Sequence, residues 1–228
     1  IIRVDKEVDP NLEITKIIQM YEDKPVIFTN VKGSRFPIVT NICPNRKILS
    51  IALGIKEEDI LRALLNSIEN PQPPKRKEKI GYIEMEANLD LLPIPKFYPS
   101  DGGRYITAGV VICMDKEYGL NASYHRAMVI DRNRFVMRIL PRDFYTYIKR
   151  GNRRFAFCIG NPLSVIISAA ISVEIEKSEL DIANALYPIH LMDFDGIPAP
   201  EAEIVMICRI TDEEHDEGPF VDITQTLD

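Results

Sequence analysis

Between Arg104 and Leu140 the sequence repeats one pattern, in which short apolar runs rich in β-branched residues are each ended by a short polar turn. The runs are "RYITAGVVICMD", "NASYHRAMVI" and "FVMRIL". Runs of this length with tight turns between them predict consecutive antiparallel strands, a β-meander. Further on, "NPLSVIISAA" and "SELDIANAL" predict helices, the second with Ser178 as its N-cap, and "EAEIVMICRI" predicts a strand. This irregular alternation indicates an α+β fold with a barrel-like domain.

The N-terminal part of the chain has a different sequence pattern, in which a strand and a helix are predicted. "KPVIFTNV" predicts a strand, and "EEDILRALLNSIEN" carries apolar residues at helical spacing. The proline-rich "NPQPPKRKEK" predicts a loop, and "LLPIPKFYPSDGGRY" adds further prolines and a Gly-Gly pair. We therefore expect an N-terminal α/β domain at residues 1–93 and a second domain at residues 94–228.

Composition narrows the class of protein. The chain has 228 residues, of which 46% are hydrophobic, and a formal net charge of −6, which argues against a broad nucleic-acid-binding face. It holds no apolar stretch of about eighteen residues, so we expect no membrane span. The four cysteines are spaced singly, and three lie in apolar runs, which predicts free thiols in a reducing cytoplasm: Cys43, Cys113, Cys158 and Cys208.

The stretch "NASYHR" places polar groups in a segment whose continuation is apolar. Strand alternation puts Asn121, Ser123 and His125 on one face, and Ala122, Tyr124 and Arg126 on the other. An arginine that points into a barrel needs a partner, because its charge cannot be neutralised by deprotonation. Two readings stay open: Arg126 reaches water at a rim, or it meets a carboxylate of the protein or of a substrate.

Near the end of the chain, "DEGPFVD" holds Glu217 and Asp222 five positions apart across a Gly-Pro bend. Together with Arg126 these acids could bind an acidic substrate and keep one carboxyl group for proton transfer, which suits decarboxylation. Loss of CO2 leaves a carbanion, so such a reaction needs an electron-sink cofactor. The alternative is a solvated acidic loop that follows "TDEEH".

Phosphate recognition has no familiar glycine-rich motif in this chain, since "DGGRY" lacks the P-loop and dinucleotide-binding spacings. A cofactor phosphate could instead be held through a divalent cation. Asn121, Asp143 and Glu179 offer oxygen ligands from three separate elements, although other polar residues could serve as well.

Taken together, these segments resemble the UbiD family of reversible, non-oxidative decarboxylases that use prenylated FMN. "LPIPKFYPSDGGRYITAGVVICMD", "NASYHR", "SELDIANAL", "PAPEAEIV" and "EGPFVD" are similar to successive family motifs and occur in the family's order. The first part of the chain also resembles the family's N-terminal domain. The resemblance implies that the second domain is a split β-barrel similar to flavin reductases, and that the flavin is the electron sink.

The resemblance also implies roles for individual residues. Asn121 and Glu179 would bind a manganese-type cation that bridges to the cofactor phosphate, and a potassium ion could accompany it. Asp143 stands where many members have a histidine, and would add a carboxylate to the cation site. The residues that would line the prenylated flavin are Tyr124, His125, Arg126, Arg138, Ile139 and Leu140. Arg126, Glu217 and Asp222 would form the catalytic network, with Asp222 transferring the proton.

Family members usually carry a substantial C-terminal domain that adds a flavin contact and mediates oligomerisation, and we expect it to be absent from these 228 residues. The leading hypothesis is a decarboxylase of an unsaturated or aromatic acid, with anhydromevalonate phosphate as a candidate substrate. It would depend on a flavin prenyltransferase for its cofactor and would form a homo-oligomer. The rival hypotheses are a flavin-binding or assembly module without turnover, and a structural domain with an acidic loop.

Overall fold

A small sheet and three helices form the N-terminal part of the chain in the computed structural model, which describes residues 1–78, 81–222 and 226. Strand β1 (Ile2–Val4) pairs in parallel with β2 (Val26–Phe28), and β2 pairs antiparallel with β3 (Ile38–Thr40). Residues of this sheet, of the loops that follow its strands and of the first helix form a small core made of Val8, Ile14, Val26, Phe28 and Val31. The predicted strand at residues 24–31 is thus confirmed, but is only three residues long.

The helices of this part are α1 (Glu13–Ile18), α2 (Arg46–Leu53) and α3 (Ile60–Glu69). The side chain of Asn45 accepts a hydrogen bond from the Ile48 N–H and so begins α2, and Gly54 ends it with a positive φ of 67°. The helix predicted from the spacing in "EEDILRALLNSIEN" is confirmed as α3.

Beyond residue 70 the chain forms ten more strands and three more helices in the part that the structure describes. The strands are β4 (Lys75–Arg76), β5 (Tyr105–Ile106), β6 (Val110–Asp115), β7 (Gly119–Tyr124), β8 (Ala127–Val129), β9 (Phe135–Met137), β10 (Arg154–Ile159), β11 (His190–Phe194), β12 (Ile197–Pro200) and β13 (Ile204–Arg209). The helices are α4 (Asp143–Lys149), α5 (Leu163–Ser168) and α6 (Glu179–Leu186). The α+β class is therefore confirmed. Ser178 caps α6, as predicted, by accepting a hydrogen bond from the Leu180 N–H.

Four strands make the central sheet, in the order β13-β10-β6-β7, and all of its pairings are antiparallel. Alternate residues of β6 enter two different cores, because successive side chains of a strand point to opposite faces. Val110 and Ile112 pack with α5 and α6 on one face, whereas Val111 and Cys113 pack with α4 on the other. The sheet is therefore covered on both faces.

The prediction of one continuous meander between Arg104 and Leu140 is wrong. The β6–β7 hairpin belongs to the central sheet, whereas β5, β8 and β9 form a separate antiparallel sheet. The hairpin pairing ends at Val110 opposite Tyr124, and the second sheet begins with Ile106 opposite Ala127. The segments 106–110 and 124–127 thus both pass from one sheet to the other at the same place. The predicted strand "NASYHRAMVI" is therefore interrupted at His125 and Arg126.

A third small sheet was not predicted from the sequence. It has the order β12-β11-β4, and its edge strand β4 lies within the proline-rich segment that was predicted to be a loop. Lys75 and Arg76 pair in parallel with the start of β11, so that this segment is held against the second half of the chain. The described strands fall into four sheets, and closure into a split barrel remains a prediction, as does the domain boundary at residue 93.

All four cysteines are free thiols, as predicted. Burial raises the pKa of Cys113, Cys158 and Cys208 to about 12, so these thiols are protonated and unreactive at neutral pH. Among the described residues, no helix combines the length and the apolar character that crossing a membrane requires.

The junction between the two sheets generates a stability prediction. A β-carbon on Gly109, the residue before β6, would overlap the ring of Phe157, which is fully buried in β10. We expect Gly109→Ala to lower the free energy of unfolding by about 1–3 kcal/mol, because a packed core cannot yield space without strain. Denaturant unfolding measures this loss.

Gly103→Ala is the matched control. The β-carbon that it adds would meet the flexible side chain of Met128 at 3.1 Å, which can move aside. A loss at Gly109 that is no greater than the loss at Gly103 would contradict the close approach of residue 109 to the Phe157 ring.

Candidate active site

Arg126 and Glu217 form a two-pronged ion pair between residues 91 positions apart. The Nε of Arg126 donates to Oε1 of Glu217 at 2.9 Å, and an Nη donates to Oε2 at 3.0 Å. The side chain of Arg126 is only 20% exposed and that of Glu217 only 6%. The guanidinium also lies 4.7 Å from the centre of the Phe220 ring. Arg126 therefore meets a protein carboxylate, as the second of the two readings predicts, while a fifth of its side chain stays exposed.

The break in the meander explains how Arg126 reaches this place. Tyr124 is the last residue of β7 and Ala127 the first of β8, so that His125 and Arg126 occupy the crossing between the two sheets. Arg126, which lies outside both strands, directs its guanidinium group toward the loop that carries Glu217. The alternation predicted for Asn121, Ser123 and His125 holds, because the Ser123 hydroxyl donates to Asn121 Oδ1 at 3.2 Å and lies 3.1 Å from His125 Nε2.

The loop at residues 216–222, which we call the acidic loop, is attached to the segment that precedes β6. The Gly102 N–H donates to the Pro219 carbonyl at 2.7 Å. The Tyr105 hydroxyl donates to the same carbonyl at 3.3 Å, and its ring packs 4.7 Å from that of Phe220. A β-carbon on Gly102 would overlap the Gly218 carbonyl, so glycine is required at this approach. The backbone two residues after Glu217 is thus held by two donors of the segment that precedes β6.

Asp222, the third member of the predicted catalytic network, follows Val221, which is buried. The Asp222 N–H donates to the Thr226 carbonyl at 3.0 Å, and its Oδ1 accepts from the Thr226 N–H at 3.2 Å. The structure thus brings Arg126 and Glu217 into direct contact and places Asp222 at the far end of the same loop. Its role in proton transfer stays a prediction.

Glu179 is a buried carboxylate that joins α6 to β7. It is 3% exposed, and its two oxygens accept from Asn121 Nδ2 at 3.2 Å each. Oε2 also accepts from the Ala122 N–H at 2.8 Å. Burial raises the pKa of Glu179 to about 7, and the charge of Asp143 adds to the rise, although the bond from the Ala122 N–H opposes it. The carboxyl group is therefore harder to ionise than an exposed one.

Asp143 begins α4, where burial raises the pKa of its carboxyl group; the charge of Arg142 opposes the rise and that of Glu176 adds to it. The predicted ligands Asn121, Glu179 and Asp143 thus lie in one acidic neighbourhood, in which Asp143 and Glu179 influence each other electrostatically. Such a set of hard oxygen atoms fits a divalent cation, whose charge would favour both carboxylates. Within the described residues no group of three or more His, Cys, Asp or Glu side chains could hold a metal unaided. A cation here would need ligands beyond the two carboxylates, such as the Asn121 side chain and a phosphate.

Two segments were predicted to line a flavin, residues 124–126 and residues 138–140, and they meet at His125. Its ring is hydrogen-bonded to the backbone of Arg138 and packs 5.2 Å from the ring of Phe144. Burial lowers the pKa of His125, so the imidazole is neutral at physiological pH. Ile139 packs against the core on the α4 side of the central sheet, whereas Arg138 and Leu140 are exposed. Tyr124 has its pKa raised to about 12 by burial and keeps its hydroxyl proton.

Several residues that shape this site were missed in the sequence. Tyr105 is fully buried, and its hydroxyl lies between the Pro219 carbonyl and the Glu217 carboxylate, a placement that raises its pKa through burial and through the charge of Glu217. Asp101 and Gly102 contact the acidic loop from the same segment. These residues lie in "SDGGRY", where the Gly-Gly pair is the one local sign of a close backbone approach.

Comparison with known proteins places the whole chain in one family. A model of the 3-octaprenyl-4-hydroxybenzoate carboxy-lyase Rift-related domain matches residues 68–228, and a model of the N-terminal domain of the same carboxy-lyase matches residues 1–68. The chain is 34% identical to the anhydromevalonate phosphate decarboxylase of Methanothermobacter thermautotrophicus and 36% identical to that of Methanocaldococcus jannaschii. Each alignment covers 99% of this chain and 56% of the relative, so the chain spans little more than half of these proteins.

Solved structures agree with the sequence comparison. An evolved dimeric form of the UbiD-class enzyme HmfF from Pelotomaculum thermopropionicum, in complex with prFMN, matches with a TM-score of 0.92 at 30% identity, over 99% of this chain and 57% of that one. The vanillic acid decarboxylase of Sedimentibacter hydroxybenzoicus in its closed form matches with a TM-score of 0.89 at 25% identity, over 99% of this chain and 55% of that one. Since two family models together span the chain and the fold agrees with both, the chain belongs to the UbiD family.

Proposed function

We propose that this chain carries the flavin-binding and acid–base part of a reversible, non-oxidative decarboxylase that uses prenylated FMN. The observation that carries the proposal is the partly buried, two-pronged pair of Arg126 and Glu217 on a loop attached at Pro219 and Val221. Burying two charges costs several kcal/mol unless their geometry is good, and a hydrophobic pair would often stabilise the fold as well. A family of carboxy-lyases supplies a reason for keeping the charges, which is recognition of a substrate carboxylate.

Arg126 would bind and orient the carboxylate of the substrate. Its charge persists at every physiological pH, and its planar fork matches a carboxylate in two-pronged geometry. Glu217 holds the guanidinium in place, and the Phe220 ring lies against it and limits its rotation. Asp222 would hold the proton that replaces CO2 on the product carbon, and would take it back in the reverse direction.

The residues around Glu179 and His125 would bind the cofactor. Asn121, Glu179 and Asp143 would hold a manganese-type cation against the cofactor phosphate, with a potassium ion as a possible second cation. Tyr124, His125 and Arg126, together with the backbone at 138–140, would line the flavin. When bound, prenylated FMN supplies the electron sink that decarboxylation requires. A neutral His125 and a protonated Tyr124 suit this task, because neither adds charge beside the ring.

The substrate class rests on the relatives. Those from the two methanogens are named for anhydromevalonate phosphate and the one from Sedimentibacter for vanillic acid, which supports an unsaturated or an aromatic acid here. The first of these is our candidate substrate. We further propose a split-barrel arrangement of residues 94–228, a flavin prenyltransferase as supplier, a homo-oligomer, and the reducing cytoplasm that four free thiols suit. A flavin-binding or assembly module without turnover is the alternative.

One experiment separates these functions. The chain is co-expressed with a flavin prenyltransferase and purified, and its absorbance spectrum and bound metal are recorded. Release of CO2 from a panel of unsaturated and aromatic acids is then measured. A flavin chromophore with CO2 release supports the decarboxylase, and a chromophore without release supports the binding module. Absence of both would contradict the proposal.

Asp222→Asn tests the proton-transfer role. We expect CO2 release to fall at least about a hundredfold, because the amide cannot exchange a proton as a carboxyl group does. The flavin chromophore should remain, since Asp222 is not assigned to cofactor binding. The matched control is Asp216→Asn, which makes the same change at an exposed acid of the same loop. Full activity in the Asp222 variant would remove that residue from the mechanism.

The cation site is tested by Asn121→Ala combined with Glu179→Ala. We expect the flavin and manganese contents of the purified protein to fall together, because a cation that bridges to the phosphate needs both ligands. Unaltered flavin and metal contents would show that the phosphate is held elsewhere.

Glu179 also predicts a dependence of stability on pH in protein freed of metal by a chelator. The pKa of this group rises from 4.5 to about 7 on folding, so over that interval the native state holds a proton that the unfolded state has lost. Its contribution to stability is therefore full below about pH 4.5 and is lost as the pH rises toward 7. Glu179→Gln should remove up to about 1.4 kcal/mol per pH unit of this decline.

Denaturant unfolding at a series of pH values measures the effect, with Glu69→Gln at an exposed helix end as the control. If the pH dependence of the Glu179 variant equals that of the unaltered chain, the carboxyl group is not held in the desolvated state described here.

A further inference from the structure

Asp101 is a buried carboxylate whose bonds reach the acidic loop. It is 3% exposed and lies in the segment between residue 94 and β5, 120 positions from its long-range partner. Its Oδ2 accepts from the Phe97 N–H at 3.1 Å and from the Tyr98 N–H at 2.8 Å. Its Oδ1 accepts from the Val221 N–H at 2.9 Å. One side chain thus fixes a local turn with one oxygen and a distant backbone with the other.

The Val221 N–H, which Asp101 holds, lies in the acidic loop between Glu217 and Asp222. Val221 directly precedes Asp222, and the Pro219 carbonyl is held by the Gly102 N–H at 2.7 Å. The acidic loop is therefore attached at residues 219 and 221, with Glu217 on one side of the attachments and Asp222 on the other. Bonds from backbone N–H groups to a charged carboxylate are stronger than those between neutral groups, so Asp101 supplies a firm anchor.

We propose that Asp101 is a positioning residue of the active site, which holds the backbone at Val221 and thereby fixes the directions of the Glu217 and Asp222 carboxylates. The inference rests on the proposed function for the roles of those two acids, but not for the attachment itself. Small displacements of acid–base groups cost much activity, because proton transfer needs heavy atoms within hydrogen-bonding distance. Asp101 touches neither substrate nor cofactor in this proposal, and acts through the loop.

The test is Asp101→Asn. An asparagine has one acceptor oxygen, and keeps the larger number of bonds when this oxygen faces Phe97 and Tyr98. Its amide group then faces the Val221 N–H, donor against donor, and the anchor is lost. Hydrogen exchange is measured on the 228-residue chain without cofactor, with the Val221 amide followed by NMR or by peptides spanning residues 214–222. We expect exchange at this amide to quicken at least about tenfold.

Asp115→Asn is the matched control. Asp115 is also a buried aspartate, 5% exposed, and it accepts bonds from the Glu117 and Tyr118 N–H groups at the tip of the β6–β7 hairpin and from Arg150 and Asn152. The same change there should lower the unfolding temperature and leave exchange at Val221 as it is. Equal exchange at Val221 in both aspartate variants would overturn the anchor and reduce Asp101 to a stabilising role.

The kinetic arm uses the chain loaded with prenylated FMN. We expect Asp101→Asn to lower kcat at least about tenfold while KM changes less than about threefold, and Asp115→Asn to leave both nearly unchanged. Rapid exchange at Val221 with full kcat would overturn the positioning role. If Asp222→Asn is fully active, the proposed function fails at that residue, and the exchange result alone still decides whether Asp101 anchors the loop.

A second variant covers the case in which Asp101→Asn does not fold. Gly102→Ala presses a β-carbon against the Gly218 carbonyl and should loosen the same loop from the neighbouring position. The β-carbon of Gly103→Ala meets the movable Met128 side chain most closely and the Val129 carbonyl at an ordinary contact distance. Quicker exchange at Val221 in the Gly102 variant alone supports the anchor, and equal exchange in the two glycine variants contradicts it.

Discussion

The bond set of Glu179 is the interaction on which the rest of this structure depends. Strand β7 is one of the two outer strands of the central sheet, and an outer strand exposes backbone groups that must find partners. Glu179 covers that edge by accepting from the Ala122 N–H, and it also holds the Asn121 side chain. Helix α6 is thereby fixed against the sheet, and the polar side chains that follow Asn121 are kept in order as far as the crossing at His125. A group that closes the fold thus stands in the neighbourhood proposed to hold the cofactor phosphate.

Glu179 thus joins helix and sheet and also stands at the proposed cation site, and its raised pKa indicates a cost in folding free energy. A carboxyl group whose pKa is about 7 is held in its charged form only at the expense of folding free energy. The protein therefore keeps at this place an acid that would be better protonated in the absence of a cation. The proposed cation would reverse that balance, so that cofactor loading and stability would be linked through one side chain.

Much of the fold could be read from the sequence, because hydrophobic periodicity and caps act locally. Helix α3, the capped helix α6 and the strands around residues 110–124 and 204–209 were all predicted. The passage of the chain from one sheet to the other was not predicted. "NASYHRAMVI" reads as one strand, and only long-range pairing shows where it divides. Arg126 and Glu217 stood out by their charge, and Glu179 only through the family resemblance. Asp101 and Tyr105 act by burial and by backbone contacts, which a single sequence does not display.

The shared crossing of β6 and β7 between two sheets also bears on how this protein can vary in length. Extra residues at the hairpin tip, around Lys116 to Tyr118, would lengthen a turn without altering the pairing of either sheet. One added residue at 107–109 or at 125–126 would change the register between the sheets, and would turn alternate side chains from one face to the other. Natural or engineered insertions should therefore disturb the fold less at the tip, where they would cost bonds of Asp115, than at the crossing.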